Sequence, residues 1–355
     1  MADYSFKAPR MGVGLASMLF ENVVIKSVVS VDPPNTMSSE EVYERLEPTF
    51  KRLHVPGNPL IDLAGIEERR YWDDGMQPSD AATLAGRKAL AEADIDPRQI
   101  GILINTSVSR DFLEPSTACV VHNNLKLADT CENFDVGNAC LAFINGMNIA
   151  GRMLERGEID YALIVNGESS REINESTIRR LLEPGVTRDQ FRGEFASLTL
   201  GSGAAAMVMT RREFDQEGHA YKGGVTRAAT QFNNLCRGWN HQMWTDTRAL
   251  LSEGMKLANL TYTAARTVFG WVMHDLDHIV IHQVSKAHTE SFIRMFGVDP
   301  ARVYRIFPML GNIGPASIPT VLSRIVDEGR VQRGDKIALM GIGSGLNCSM
   351  AEVVW

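Results

Sequence analysis

CENFDVGNACLAFINGMNIAGRMLERG, residues 131–157, is the stretch whose reading decides the fold. Phe134, Val136 and Ala139 alternate with polar neighbours, as a strand does, and Gly137 and Asn138 tolerate the backbone angles of a tight turn. From Cys140 onward the apolar set is Leu141, Ala142, Ile144, Met147, Ile149, Ala150, Met153 and Leu154. These residues cover most of a helix circumference, which predicts a helix buried inside the protein. Arg152, Arg156 and Gly157 give it an ordinary C-terminal end. The pattern puts Cys140 at the first turn of that helix, where unpaired N–H groups and the helix dipole favour the nucleophilic thiolate. Most free cysteines are small buried residues and nothing more. It is the strand–GNAC–helix context that singles this one out.

The bulk properties set bounds. A chain of 355 residues can hold two core-bearing halves, and 44% hydrophobic content is that of an ordinary globular protein. A net charge of −7 argues against nonspecific nucleic-acid binding. No apolar run is long enough to span a bilayer. The first 17 residues, MADYSFKAPRMGVGLAS, carry two basic residues and a short apolar patch that Glu21 interrupts, so they do not read as a signal peptide. They are expected to lie outside the fold, which would begin at Met18. The cysteines at 119, 131, 140, 236 and 348 form no CxxC pair and are odd in number. That suits a reducing, cytoplasmic setting and offers no metal motif.

Outward from the central stretch, strands are expected within 18–31, 100–107, 161–168 and 204–210. Helices are expected over 38–53, with Ser39 as cap, and over 78–93, with Ser79 or Asp80 as cap. The segment 65–72 reads as a connector, 110–116 as a loop, and 169–195 as polar loop with one helix. The pattern then begins again, with strands over 222–230, 278–285, 336–345 and 348–355 and helices over 249–270, 287–296 and 316–329. ILINTSVS at 102–109 echoes IVIHQVS at 279–285, and GSGAAAMVM at 201–209 echoes GSGLNCSMAEVV at 343–354. A duplicated α/β fold follows, with parallel strands between helix layers. Its N-terminal half, 18–212, carries the cysteine. Its C-terminal half, 213–355, carries two further candidates: His282, at the end of the strand HIVIHQ, and Asn312, in the glycine- and proline-fixed loop MLGNIGPAS. Catalytic groups of open α/β sheets gather at the carboxyl ends of strands, where Cys140 and His282 both fall. The glycine run GIGSG at 341–345 is followed by a strand rather than a helix, so it is weak support for a phosphate cradle.

GNACLAF, IHQVS, GNIGPAS and GIGSGLN, in this order and spacing, resemble the thiolase superfamily and more narrowly its ketoacyl synthase III group. NTSVSRDFLEPSTA, FDVGNACLAFINGM, MLERGEIDYAL, KGGVTRAAT and GSGLNCSMAEVVW carry a further likeness, to OleA-type enzymes, over nearly the whole chain from Met18. Such enzymes join two fatty acyl-CoA molecules head to head in bacterial long-chain olefin biosynthesis. The resemblance implies a five-layered αβαβα fold of two similar halves, a homodimer, and downstream olefin-pathway enzymes as possible partners. It implies no cofactor beyond the coenzyme A of the substrates. By position, Cys140 matches the acylated nucleophile, and His282 and Asn312 match the pair that holds the second substrate's thioester oxygen. Ser344 matches the residue whose backbone N–H joins that of Cys140 in the oxyanion hole. Glu114 stands in a loop that, in the family, reaches the partner subunit's active site.

The chain also departs from its relatives. Near Leu63 and Asn58 it lacks the arginine and tryptophan that hold the CoA adenine in ketoacyl synthase III, so the nucleotide contacts stay unassigned. Gly341 replaces the second catalytic cysteine of degradative thiolases, and Cys348 reads as a strand residue. Three functions remain open at this point. The first is non-decarboxylative condensation of two acyl-CoAs, the second decarboxylative condensation with malonyl-ACP, and the third an idle subunit of a condensing complex. The first alone needs a base for an unactivated α-proton, and Glu114 is the residue expected to supply it.

Overall fold

The computed structural model describes residues 16–355. Its main sheet has ten strands. They are β1 (Ala16–Leu19), β2 (Val23–Val31), β3 (Ile102–Asn105), β4 (Glu132–Asp135), β5 (Tyr161–Glu168), β6 (Gly203–Arg211), β7 (His219–Ala228), β8 (His278–Ile281), β9 (Lys336–Gly343) and β10 (Asn347–Val354). The helices that sandwich it are α1 (Pro78–Ala93), α2 (Thr117–Leu125), α3 (Ala142–Glu155), α4 (Thr247–Phe269), α5 (Lys286–Phe296) and α6 (Ser317–Asp327). Among the described residues no helix is long and apolar enough to cross a membrane.

The strand order is β8-β9-β10-β7-β2-β6-β5-β3-β4, with β1 paired to β7 beside this path. Each half repeats one arrangement. In the first, β3 runs parallel to β5, β5 antiparallel to β6, and β6 antiparallel to β2. In the second, β8 runs parallel to β9, β9 antiparallel to β10, and β10 antiparallel to β7. The two sequence echoes fall on matching positions, β3 with β8 and β6 with β10. The halves touch edge to edge where β2 and β7 pair at Val24–Ala220 and Ile25–His219.

The sheet is mixed rather than parallel. Among the described residues only the β3–β4, β3–β5 and β8–β9 pairs run parallel. Parallel neighbours need a crossover of a dozen or more residues, whereas antiparallel ones accept a tight turn. Residues 344–346 alone join β9 to β10, which fixes that pair as antiparallel.

Side-chain alternation builds the layers. Ile102 and Ile104 of β3 join Ile144 and Met147 of α3, and Val321 and Leu322 of α6, in a central cluster. Leu103 faces the other way, onto α1 and α2. In the second half Ile337 and Leu339 enter the central cluster, while Ala338 and Met340 face α4 and α5. The resulting stack is α1/α2, half-sheet, α3/α6, half-sheet, α4/α5, the αβαβα order that the resemblance implies. It explains why α3 is apolar on most of its circumference: a sheet covers each of its faces.

Several local expectations shift. Ala16 and Ser17 pair with Thr226 and Val225, so the fold starts two residues earlier than expected. The rest of the expected extension, residues 1–15, lies outside the described residues. Ser38, not Ser39, caps the helix Ser39–Leu53, accepting the Glu41 N–H at 3.0 Å. Asp80 accepts the Gln77 N–H from inside α1 rather than capping it. The 65–72 connector contains a strand, Glu68–Tyr71, paired with Asn35–Ser38. The 169–195 stretch holds two helices, Arg171–Leu181 and Arg188–Glu194, and a hairpin forms from Cys236–Trp239 and Gln242–Thr245.

The central layer sets a stability test. Leu322 is fully buried there, whereas Leu63 is 65% exposed. Leu322→Ala should cost about 2–5 kcal/mol in urea unfolding, and Leu63→Ala less than about 0.5 kcal/mol.

Candidate active site

The site grows from the turn between β4 and α3. Ala139 sits at φ +45°, a conformation that non-glycine residues rarely adopt. Turn hydrogen bonds from Leu141 N–H to Asn138 O (3.0 Å) and from Ala142 N–H to Ala139 O (3.1 Å) set it. The helix begins at Ala142, so Cys140 lies just before its first turn rather than inside it. The Asn138 side chain ties this turn to both halves. It donates to Asn145 Oδ1 on α3 at 2.7 Å and accepts from Asn347 Nδ2 on β10 at 3.1 Å. Gly343, the end of β9, backs onto the same turn: a Cβ there would stand 3.3 Å from Asn138 O and 3.6 Å from Cys140 N. Ser344 follows directly.

His282 leaves the end of β8 with its N–H bonded to Met340 O at 2.8 Å. Its neighbour Gln283 clamps the chain that leads to the asparagine, its Oε1 accepting from Ile306 N–H at 2.8 Å and from Phe307 N–H at 3.3 Å. Asn312 itself is pinned by backbone bonds to Thr199 O (2.8 Å) and from Gly201 N–H (3.0 Å). Gly311 must be glycine, since it has φ +68° and a Cβ there would lie 2.7 Å from Thr199 O. The Gly314 N–H occupies Asn312 Oδ1 at 3.0 Å, which leaves the side-chain NH2 as the group free to donate.

Cys140, His282, Asn312 and Ser344 line one cavity of about 1020 Å3, together with Glu168 and Cys236. Both ring nitrogens of His282 are buried without a partner among the described residues. Burial, reinforced by His288, lowers its pKa to about 3, so the ring is neutral. Burial likewise pushes the Cys140 thiol up to about 12, with Cys236 and Glu168 adding to the shift. Burial thus opposes the thiolate that a helix N-terminus favours, and Cys140 stands ahead of that terminus rather than within it.

Glu114 is not in this cavity. It is exposed on the 110–116 loop beside Phe112 and Leu113, which are 56% and 86% exposed. Asp135, the other carboxylate near Cys140 in sequence, caps α2 by accepting from Thr117 N–H (3.0 Å) and Ala118 N–H (2.8 Å). Of the carboxylates that line the cavity, the buried one is Glu168, which sequence reasoning missed. It accepts from the backbone N–H groups of Val108 (2.7 Å) and Ser109 (3.1 Å), from Ser109 Oγ (2.8 Å) and from Asn166 Nδ2 (3.3 Å). Burial raises its pKa to about 7 against those four bonds. A signal was available, because a charged residue ending the buried run YALIVNGE stands where catalytic groups collect.

Comparison with known proteins agrees with this geometry. Residues 134–223 match the 3-oxoacyl-[acyl-carrier-protein (ACP)] synthase III family, and residues 268–355 match the C-terminal part of that synthase. The acyl-CoA:acyl-CoA alkyltransferase of Xanthomonas campestris pv. campestris is 59% identical over 338 residues, 95% of this chain and 100% of that protein. The chain belongs to the OleA family. Cerulenin-bound Xanthomonas campestris OleA superposes with a TM-score of 0.94 at 59% identity, covering 95% of this chain and 98% of that one. A Cys→Ser variant of the same OleA, with bound lauric acid and lauroyl-CoA, superposes with a TM-score of 0.94 at 58% identity, covering 95% and 100%. The thiolase-like architecture is therefore that of the OleA family.

Glu168 makes a pH prediction. Its folded pKa of about 7 lies above the ordinary 4.5, so between these values only the folded state holds the proton. The stability it contributes is full below about 4.5 and is lost as pH rises through 7. The unfolding free energy of the parent, less that of Glu168→Gln, should shrink between about pH 5 and pH 8. A difference that does not vary with pH would refute the assignment.

Proposed function

We propose that this protein joins two long-chain fatty acyl-CoA molecules by non-decarboxylative, head-to-head Claisen condensation, giving a 2-alkyl-3-ketoacid or its CoA thioester. One observation carries the reading. A neutral His282 with unpartnered nitrogens and a free Asn312 amide share one cavity with Cys140. That set can hold an enolate oxygen beside an acyl thioester.

In the first half-reaction Cys140 sulfur attacks the thioester carbon of one acyl-CoA, and its proton passes to the departing CoA sulfur. The backbone N–H groups of Cys140 and Ser344 hold the tetrahedral oxyanion, and losing one such donor costs about 3 kcal/mol. A second acyl-CoA then loses its α-proton. His282 and Asn312 donate to the enolate oxygen, and a neutral imidazole does so without placing a fixed cation in a buried site. The carbanion attacks the acyl carbon, and Cys140 sulfur leaves.

Glu114 is our base, delivered from one subunit of a homodimer into the cavity of the other. Two features support this: the loop's exposed Phe112 and Leu113, and β4, which pairs along one edge only. An exposed strand edge is a template for pairing with another chain. The chemistry calls for no cofactor beyond the CoA of the substrates. Five free cysteines fit a cytoplasmic enzyme that feeds olefin-forming partners.

Incubation with myristoyl-CoA alone should yield a long-chain ketone, formed when the 3-ketoacid loses CO2. Product that appears only when malonyl-ACP is supplied would sink the reading. Mass spectrometry should find the acyl adduct on Cys140 in the parent and none on any cysteine of Cys140→Ser, because serine is a far weaker nucleophile in this setting. An adduct on another cysteine would overturn the assignment.

Glu114→Gln should still acylate Cys140 near the parent rate yet fail to condense. Mixing it with Cys140→Ser protomers should restore part of the activity, since a heterodimer would hold one complete site. Full condensation by Glu114→Gln alone would remove it as base, and inactive mixed dimers with proven subunit exchange would place the base within one chain.

A further inference from the structure

Five glycines lie within the α-helices of the described residues: Gly86, Gly146, Gly151, Gly193 and Gly254. Glycine inside a helix costs about 1 kcal/mol relative to alanine, so each needs a reason. Four have one in packing. A Cβ would stand 3.0 Å from Leu125 at Gly86, 3.0 Å from Thr106 at Gly146, 2.6 Å from Phe20 at Gly151 and 2.3 Å from Trp244 at Gly193. Gly254, in α4, is the exception. A Cβ there would meet only Ile342, at 3.6 and 3.7 Å, which is ordinary contact.

What Gly254 faces is the cavity. On that side α4 also presents Leu250, Leu251, Met255 and Ala258, while the sheet below presents Ile281, Met340, Ile342 and Met350. This arm of the cavity lies between the C-terminal half-sheet and the outer helix layer, and those side chains are all apolar. The strand β9, which lines it through Met340 and Ile342, ends at Gly343 against the nucleophile's turn. A binding cavity of about 1020 Å3 is at the top of the range for small-molecule sites, and an apolar arm of it suits a hydrocarbon chain.

We propose that Gly254 sets how long an acyl chain this arm accepts: the missing side chain widens the passage beside α4, where it meets Ile342, by the room of one methyl group. The proposal rests on the condensation reading for its substrate, a straight-chain fatty acyl group, but its geometry does not. Gly254→Leu would fill the passage from the helix side. One added methylene in an apolar pocket already changes discrimination by about 10-fold or more, and leucine adds four carbons.

The test compares the parent, Gly254→Ala and Gly254→Leu on octanoyl-CoA and myristoyl-CoA, alongside binding of free octanoate and myristate by calorimetry. Gly254→Leu should lower use of myristoyl-CoA relative to octanoyl-CoA by about tenfold or more. It should also weaken myristate binding more than octanoate binding. Gly254→Ala should raise the unfolding temperature, because the helix penalty disappears, and should shift selectivity the same way to a smaller degree. Parallel loss on both chain lengths in variants that melt no lower than the parent would overturn the proposal, as would unchanged selectivity. The fatty-acid arm needs no turnover. A parent that condenses neither thioester while the variants still discriminate between the fatty acids would break the functional reading and leave this one standing.

Discussion

A helix that is apolar around most of its circumference is stable in water only where something covers every side. In this chain α3 is that helix, and the two half-sheets are the cover. Ile102 and Ile104 press on it from one half and Leu339 from the other, with α6 alongside. Because α3 must be central, the turn that starts it must also be central, and Cys140 is carried to the seam between the halves. The Asn138 amide, bonded to Asn145 on one side and to Asn347 on the other, fixes that turn to both. Cys140 of one half thereby shares a cavity with His282 and Asn312 of the other.

The same centrality governs the electrostatics. Burial raises the Cys140 thiol to about 12 and Glu168 to about 7, and lowers His282 to about 3. Each shift moves its group toward the uncharged form. Burial thus works against fixed charge on all three groups, which suits a reaction whose substrates are long apolar chains ending in a neutral thioester. Charge appears there only transiently, as oxyanion or enolate, where neutral donors can stabilise it without the cost of keeping a buried ion.

The reach of the sequence can be traced residue by residue. That Cys140, His282 and Asn312 would be candidates for one cavity was legible because each ends a strand or sits in a glycine-fixed loop, and both are local patterns. The duplication was legible in two echoes that fall on matching strands. The burial that opposes a Cys140 thiolate was not, because desolvation depends on everything folded around the thiol, whereas the helix terminus is visible in the adjacent residues. Glu168 was missed for a related reason: its partners Val108 and Ser109 lie 60 and 59 residues away. The mixed sheet was misread because a run of buried residues looks alike in parallel and antiparallel neighbours, and only connection lengths separate them.

The link between β9 and β10 is three residues long, and Gly343 and Asn347 at its ends are direct partners in the sheet ladder. Ser344 therefore sits in a corner whose shape follows from strand register, not from loop sequence. Other walls of the cavity come from elements with far more latitude: α4 and the hairpin Cys236–Thr245. Variation is free to accumulate in those parts while the corner stays as the sheet dictates. A lineage built on this plan can diversify the lipids it joins without re-inventing the place where the bond is made.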